Sequence, residues 1–129
     1  MKYMLLTYLD EKAWLALPAE EQERQMKACG PHVEKLLRTS KLLAGGPLHP
    51  TTTATTLRNR EGKRMITDGP FAETREQLGG YTIVEADDLD DAIAIAAGFL
   101  GESTLASIEV RPILTFDGTP AAPPRVGSS

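Results

Sequence analysis

The sequence predicts an α+β fold in the order strand, helix, strand, hairpin, strand, helix, strand. Without the hairpin that order is βαββαβ, the ferredoxin-like plan. Three observations carry it. Apolar runs at 2–9 and 81–86, with an alternating run at 107–114, read as strands. Apolar residues recur at helical spacing after Pro18 and again after Asp87. Between these halves a Thr-rich segment and its return flank a polar turn, which reads as a hairpin.

Each element has a local cause. Residues 2–9 form an apolar, aromatic run between the terminus and a polar turn, so they read as a buried strand. Pro18 followed by Glu20 and Glu21 is a helix start, because Pro suits the first turn and acids suit its dipole. Met26, Cys29, Val33, Leu36 and Leu37 then define one apolar stripe. Pro31 lacks an N–H and crowds the preceding turn, which predicts a kink or two helical segments. Leu42–Leu48 is a short strand leaving through a Gly/Pro turn. Thr52–Arg58 should be extended, and Arg64–Thr67 returns after a turn at 60–63. Gly79-Gly80 leads into the strand Tyr81–Ala86. Asp87 or Asp88 caps a helix through Leu89, Ala92, Ile93, Ala96 and Leu100, and Gly101 suits its end. Ser107–Leu114 closes the order.

The 129 residues suit one domain, placed at 1–115, with a Pro/Gly/Ser-rich tail at 116–129. A net charge of −4 argues against a nucleic-acid partner. The opening apolar run is too short to span a membrane and has no small-residue cleavage site, so no membrane association and a cytoplasmic location are expected. Cys29 stands alone, which excludes an internal disulfide, and with His32 and His49 it makes a poor zinc set. No phosphate loop, serine nucleophile motif or metal spacing is present, so no cofactor is expected.

Two helices cover one face of a four-stranded sheet, and the other face must meet water or a partner. Alternation sends Ile108 and Val110 to the covered side and Glu109 and Arg111 to the uncovered one. For 81–86 both parities hold apolar residues, so its inward set stays open. The uncovered face is either partly polar and wet, or the surface on which a homodimer closes a cavity. The candidate groups follow from that cavity. Asp68, Glu73 and His49 are the candidate catalytic residues, with Asp68 moving a proton and fixing the His49 tautomer. Arg111, Glu109, Tyr81 and Phe71 are the candidate ligand-binding residues, Arg111 holding an anionic group by a charge-assisted fork. Plainer readings stand beside these. The 68–81 segment serves as architecture, His49 as a surface loop residue, and His32 as an edge or solvent-facing one. Arg58, Arg60, Lys63 and Arg64 make a basic hairpin, either a solvated turn or a dock for an anion or acidic partner.

The run Asp68-Gly69-Pro70-Phe71-Ala72-Glu73-Thr74-Arg75-Glu76-Gln77-Leu78-Gly79-Gly80-Tyr81 resembles the signature of the DGPF branch of the YCII-related family. Met1–Leu6, Asp87–Ala92 and Glu109–Pro112 resemble its opening strand, helix start and final strand, so the likeness spans 1–114. The resemblance implies a ferredoxin-like protomer pairing as a dimeric α/β barrel. From the wider family it implies a His/Asp catalytic pair, one branch of which eliminates chloride from a chlorinated hydroquinone. Similar barrels include muconolactone isomerases. It also implies a second function class, a regulatory module associated with an extracytoplasmic-function sigma factor. This chain has no histidine near its first strand, so His49 with Asp68 is the pair it offers. The expected function is binding or transformation of a small polar or aromatic molecule in the barrel.

Overall fold

A computed structural model describes residues 1–114, and the tail expected at 116–129 lies outside the described residues. The chain runs β1 (Lys2–Asp10), α1 (Glu11–Ala16), α2 (Ala19–Ala28), α3 (Gly30–Arg38) and β2 (Leu42–Pro47). A single 3-10 turn (Thr51–Thr53) precedes the hairpin strands β3 (Thr55–Arg60) and β4 (Lys63–Asp68). β5 (Glu76–Glu85), α4 (Leu89–Leu100) and β6 (Ala106–Pro112) follow. The main sheet has the order β2-β5-β1-β6 with antiparallel neighbours, and β3-β4 form a separate two-stranded sheet. Setting the hairpin aside, this is the ferredoxin-like arrangement expected from the element order.

The local causes act largely as the sequence indicates. The first helical stretch breaks between Ala28 and Gly30, with Pro31 in the first turn of α3. Asp88 caps α4 by accepting from the Asp91 N–H at 2.9 Å, and Gly101 ends that helix at φ +56°. Other features differ. α1 is an unexpected helix, nucleated where the Asp10 side chain accepts from the Ala13 N–H at 3.2 Å. β5 begins at Glu76, five residues before Tyr81, so Gly79 and Gly80 lie inside the strand rather than ahead of it. Thr52 and Thr53 belong to the 3-10 turn and not to the extended run.

The core lies between the sheet and the helices. Tyr3, Leu5, Val84 and Ala86 meet Leu36, Ala92, Ile95 and Ala96, with Ile108 and Val110 packed at the margin as expected. The predicted helical stripes are only partly buried. Leu36 is inside, whereas Met26, Leu37 and Ile93 are exposed, because α4 turns Ala92, Ile95 and Ala96 to the sheet. His32 is not a solvent-facing residue either. Its Nε2 lies 2.9 Å from the Ile95 carbonyl oxygen and its ring meets Phe99 edge-on at 4.7 Å, tying α3 to α4.

Register resolves the open parity of β5. Val84 lies beside buried Tyr3 and faces the helices, so Tyr81, Ile83 and Glu85 take the other face. Three cross-strand rows form that uncovered face: Ile83–Met4–Arg111, Tyr81–Leu6–Glu109 and Leu78–Tyr8–Ser107. Ala44 and Gly46 of β2 extend the first two. It is an apolar surface carrying a few polar groups along one side.

Candidate functional site

The third row runs into a groove. Tyr8 and Leu78 form its floor, and the 48–50 loop, Leu57 of the hairpin and Phe71 of the following turn form its walls. The space is about 1120 Å³ and open to solvent, slightly above the usual range of small-molecule sites.

The walls are held by named bonds. Glu11, in the unexpected helix α1, accepts from the Thr51 N–H at 3.0 Å and from its hydroxyl at 2.6 Å. Those bonds anchor the loop that carries His49 between Leu48 and Pro50. On the opposite wall, the Thr56 hydroxyl donates to the Gly69 carbonyl and the Gly69 N–H to the Ala54 carbonyl, both at 2.7 Å. The Arg58 guanidinium donates to the Phe71 carbonyl. Gln77 Nε2 donates to the Ala72 and Thr74 carbonyls at 3.1 and 3.0 Å. The segment between β4 and β5 is therefore pinned at both ends, which is the architectural reading of that run. Arg75 Nε sits 3.4 Å from Asp10 Oδ2 at the groove's edge.

Beside the groove, polar groups on the open face form a chain. The Tyr8 hydroxyl donates to Glu109 Oε1 at 3.1 Å, and Arg111 Nε donates to Glu109 Oε2 at 2.8 Å. Arg111, then Tyr8, hold the Glu109 carboxyl below its ordinary pKa, since both bonds favour the ionised form. Desolvation, then the bond to Glu109, raises the Tyr8 phenol. Glu109 in turn raises the Arg111 guanidinium. The chemistry available is a fixed carboxylate, a phenol and a guanidinium on an apolar floor.

The sequence-derived candidates divide. His49 and Phe71 line the groove. Glu109, Arg111 and Tyr81 stand on the open face next to it. Asp68 is exposed at the end of β4 opposite Thr55, and Glu73 is exposed in the turn beyond; neither lines the groove. Among the described residues no hydrogen bond joins His49 to Asp68, and only His49 lines the groove. Tyr8, Glu11 and Leu78 are not among the sequence-derived candidates. Tyr8 was findable by alternation, since it shares parity with Met4 and Leu6; the role of Glu11 depends on a loop 40 residues away. No group of three His, Cys, Asp or Glu gathers among the described residues to hold a metal, and no helix there is long and apolar enough to cross a membrane.

Fold and groove together define a ferredoxin-like α+β protein whose apolar sheet face no helix of the described residues covers, with a recess at its margin. The chain belongs to the YCII-related domain family, whose pattern it matches over residues 1–117. It is 38% identical over 117 residues to an uncharacterised protein from Rhizobium meliloti (strain 1021), covering 90% of this chain and 94% of that one. Among solved structures it is similar to the 5-chloro-2-hydroxyhydroquinone dehydrochlorinase of Burkholderia phenoliruptrix AC1100, solved in complex with 2,5-dihydroxybenzoquinone. That similarity has a TM-score of 0.48 at 16% identity, covering 92% of this chain and 99% of that one.

Proposed function

We propose that two copies pair by their open sheet faces and bind a small polar or aromatic molecule in the cavity enclosed between them. The observation that carries this reading is the bare face itself. Met4, Leu6 and Ile83 form apolar rows with no helix of the described residues above them, and the Tyr8–Glu109–Arg111 chain lies at their side. Large apolar surface seeks cover, and an isologous pair of identical faces is the simplest closed assembly. Once water is excluded, Arg111 holds an anionic group, while Tyr81 and Phe71 flank a ring. His49 stands at the groove as the proton-handling group, and the second copy is what can carry Asp68 or Glu73 to the cavity.

Sedimentation and a thermal-shift screen test this together. The expected results are a species of twice 14.0 kDa and a rise in melting temperature with one class of carboxylate or phenol. Arg111→Ala should abolish that rise and leave the dimer intact. A single-chain species at all concentrations would sink the enclosed cavity. A dimer unmoved by every ligand would favour a regulatory module of the sigma-factor-associated kind.

A further inference from the structure

Among the described residues, nothing covers the outer surface of the β3–β4 hairpin. It shares no ladder with the four-stranded sheet, and a two-stranded hairpin is marginal by itself in water. Every residue of β4 is exposed, yet Met65 and Ile66 are among them, and Ile66 is 66% exposed. Leu57 and Ile66 are direct cross-strand partners and share one face. Since Leu57 also walls the groove, an apolar strip leads from the groove outward along the hairpin. Phe71, 78% exposed, flanks it.

Charge says what covers this strip. Residues 55–68 carry Arg58, Arg60, Lys63 and Arg64 against Glu61 and Asp68, a net +2. The whole chain carries −4, so everything outside the hairpin carries −6. A basic arm on an acidic body is drawn to the body of another copy and repelled by that copy's arm. On the receiving side, the open face offers Tyr81 and Leu78, each 38% exposed, with exposed Glu76 and Glu85 on the same strand.

We propose that the hairpin is an intersubunit arm: each copy lays the Ile66 strip and the basic tip of its hairpin on the other copy's open sheet face. Each groove is then walled by its own sheet and closed by the partner's arm, so one copy alone holds an incomplete site. This rests on the pairing of open faces proposed above and names the segment that fastens the pair.

Lys63 supplies the test, being the one primary amine in the hairpin. Unlabelled and nitrogen-15-labelled chains are mixed, allowed to exchange subunits and treated with a zero-length amine–carboxyl coupling reagent. The expected product joins Lys63 to an acidic residue of the opposite isotope. A stable dimer whose Lys63 links are absent or always same-isotope overturns the arm and leaves face pairing standing, whereas a monomer overturns both. Separately, Ile66→Glu should weaken the dimer about tenfold or more without changing the far-UV circular dichroism, because that side chain is exposed in the single chain. Unchanged dimer affinity would refute the arm.

Discussion

Tyr8 and Glu109 stand 101 positions apart and meet on the open face, the phenol donating to Glu109 Oε1 at 3.1 Å. They are not directly paired across the ladder. Glu109 lies opposite Leu6 and Tyr8 opposite Ser107, so the bond runs diagonally between neighbouring rows. Arg111, two residues further along the same strand face, holds the second carboxylate oxygen. A fixed carboxylate between a phenol and a guanidinium is thus made by register alone.

The first prediction concerns that carboxylate. Both Arg111→Gln and Tyr8→Phe should raise the Glu109 pKa, and Arg111→Gln should raise it more, because the guanidinium bond is the larger cause of its depression. The native pKa lies below the unfolded value of about 4.3. The stabilisation from this group is therefore complete above that value and is lost as pH falls through the native pKa. Carbon-13 titration of the side-chain carboxyl reads the order directly, and a larger rise in Tyr8→Phe would contradict it.

Asp91 ties three elements together. It accepts from Lys41 Nζ through both oxygens, at 3.1 and 2.9 Å, and from the Asp87 N–H at 2.9 Å, while its own N–H caps onto Asp88. The Asp87 bond is the first cause of its lowered pKa. Asp91→Ala keeps the Asp88 cap but loses the Lys41 and Asp87 bonds, and should destabilise the fold by about 1.5–3 kcal/mol, the usual range for a lost hydrogen bond to a charged group. Lys41→Met should do less, since the Asp87 bond survives. The depressed pKa places the Asp91 contribution above about pH 3.9, lost on further acidification. Urea denaturation at neutral and low pH measures both effects, and equal losses from the two variants would contradict this ordering.

Gly45 and Gly46 are adjacent and should behave oppositely. Gly45 has φ +149°, and a Cβ there would lie 2.6 Å from the Tyr81 carbonyl oxygen and 2.9 Å from Thr82 Cα. Both are backbone atoms of the neighbouring strand and cannot rotate away. Gly45→Ala should therefore cost about 2–3 kcal/mol by forcing β2 off β5. At Gly46 a Cβ meets nothing within 4 Å, so Gly46→Ala should leave the melting temperature of the monomer nearly unchanged. Thermal unfolding of the two variants checks the contrast, which fails if they fall together.

The elements that periodicity and capping describe were legible: β1, the broken helix around Pro31, the hairpin, α4 with its Asp88 cap, and β6 with Ile108 and Val110 turned inward. What escaped depends on distant contacts. Gly79-Gly80 looks like a turn locally, yet both residues lie in β5, where Gly80 pairs with Thr7 of β1 and Pro47 of β2 and a Cβ on it would stand a tight 3.3 Å from the Gly46 carbonyl oxygen. The groove was invisible because it exists only where the hairpin and the 48–50 loop happen to stand over Tyr8 and Leu78. Phe71 and His49, candidates by their chemistry, line it. Asp68 and Glu73 carry the same kind of chemistry, but Asp68 ends an exposed strand and Glu73 lies in the exposed turn beyond it, so neither reaches the groove. α1 did leave a local mark, an Asp followed by Glu at the end of the first strand, which is an N-terminal capping signal.

His32 and Gly98 make the last case, and it is one of coupling. The imidazole lies so close over Gly98 that a Cβ there would stand 2.6 Å from Nδ1 and nearer still to Cε1 and Nε2. The ring is anchored on the Ile95 carbonyl and against Phe99, so it cannot move away freely. Gly98→Ala should destabilise by about 1–3 kcal/mol through overpacking. His32→Ala should cost about 1–2 kcal/mol for the lost bond and contact. In the His32→Ala background, however, the added methyl group enters the space the ring has left. The double variant should then be more stable than the sum of the singles predicts by about 1 kcal/mol or more, a coupling that a denaturant double-mutant cycle resolves. Additive losses would mean that the ring does not hold α4 in place, and that the α3–α4 contact rests on the apolar residues alone.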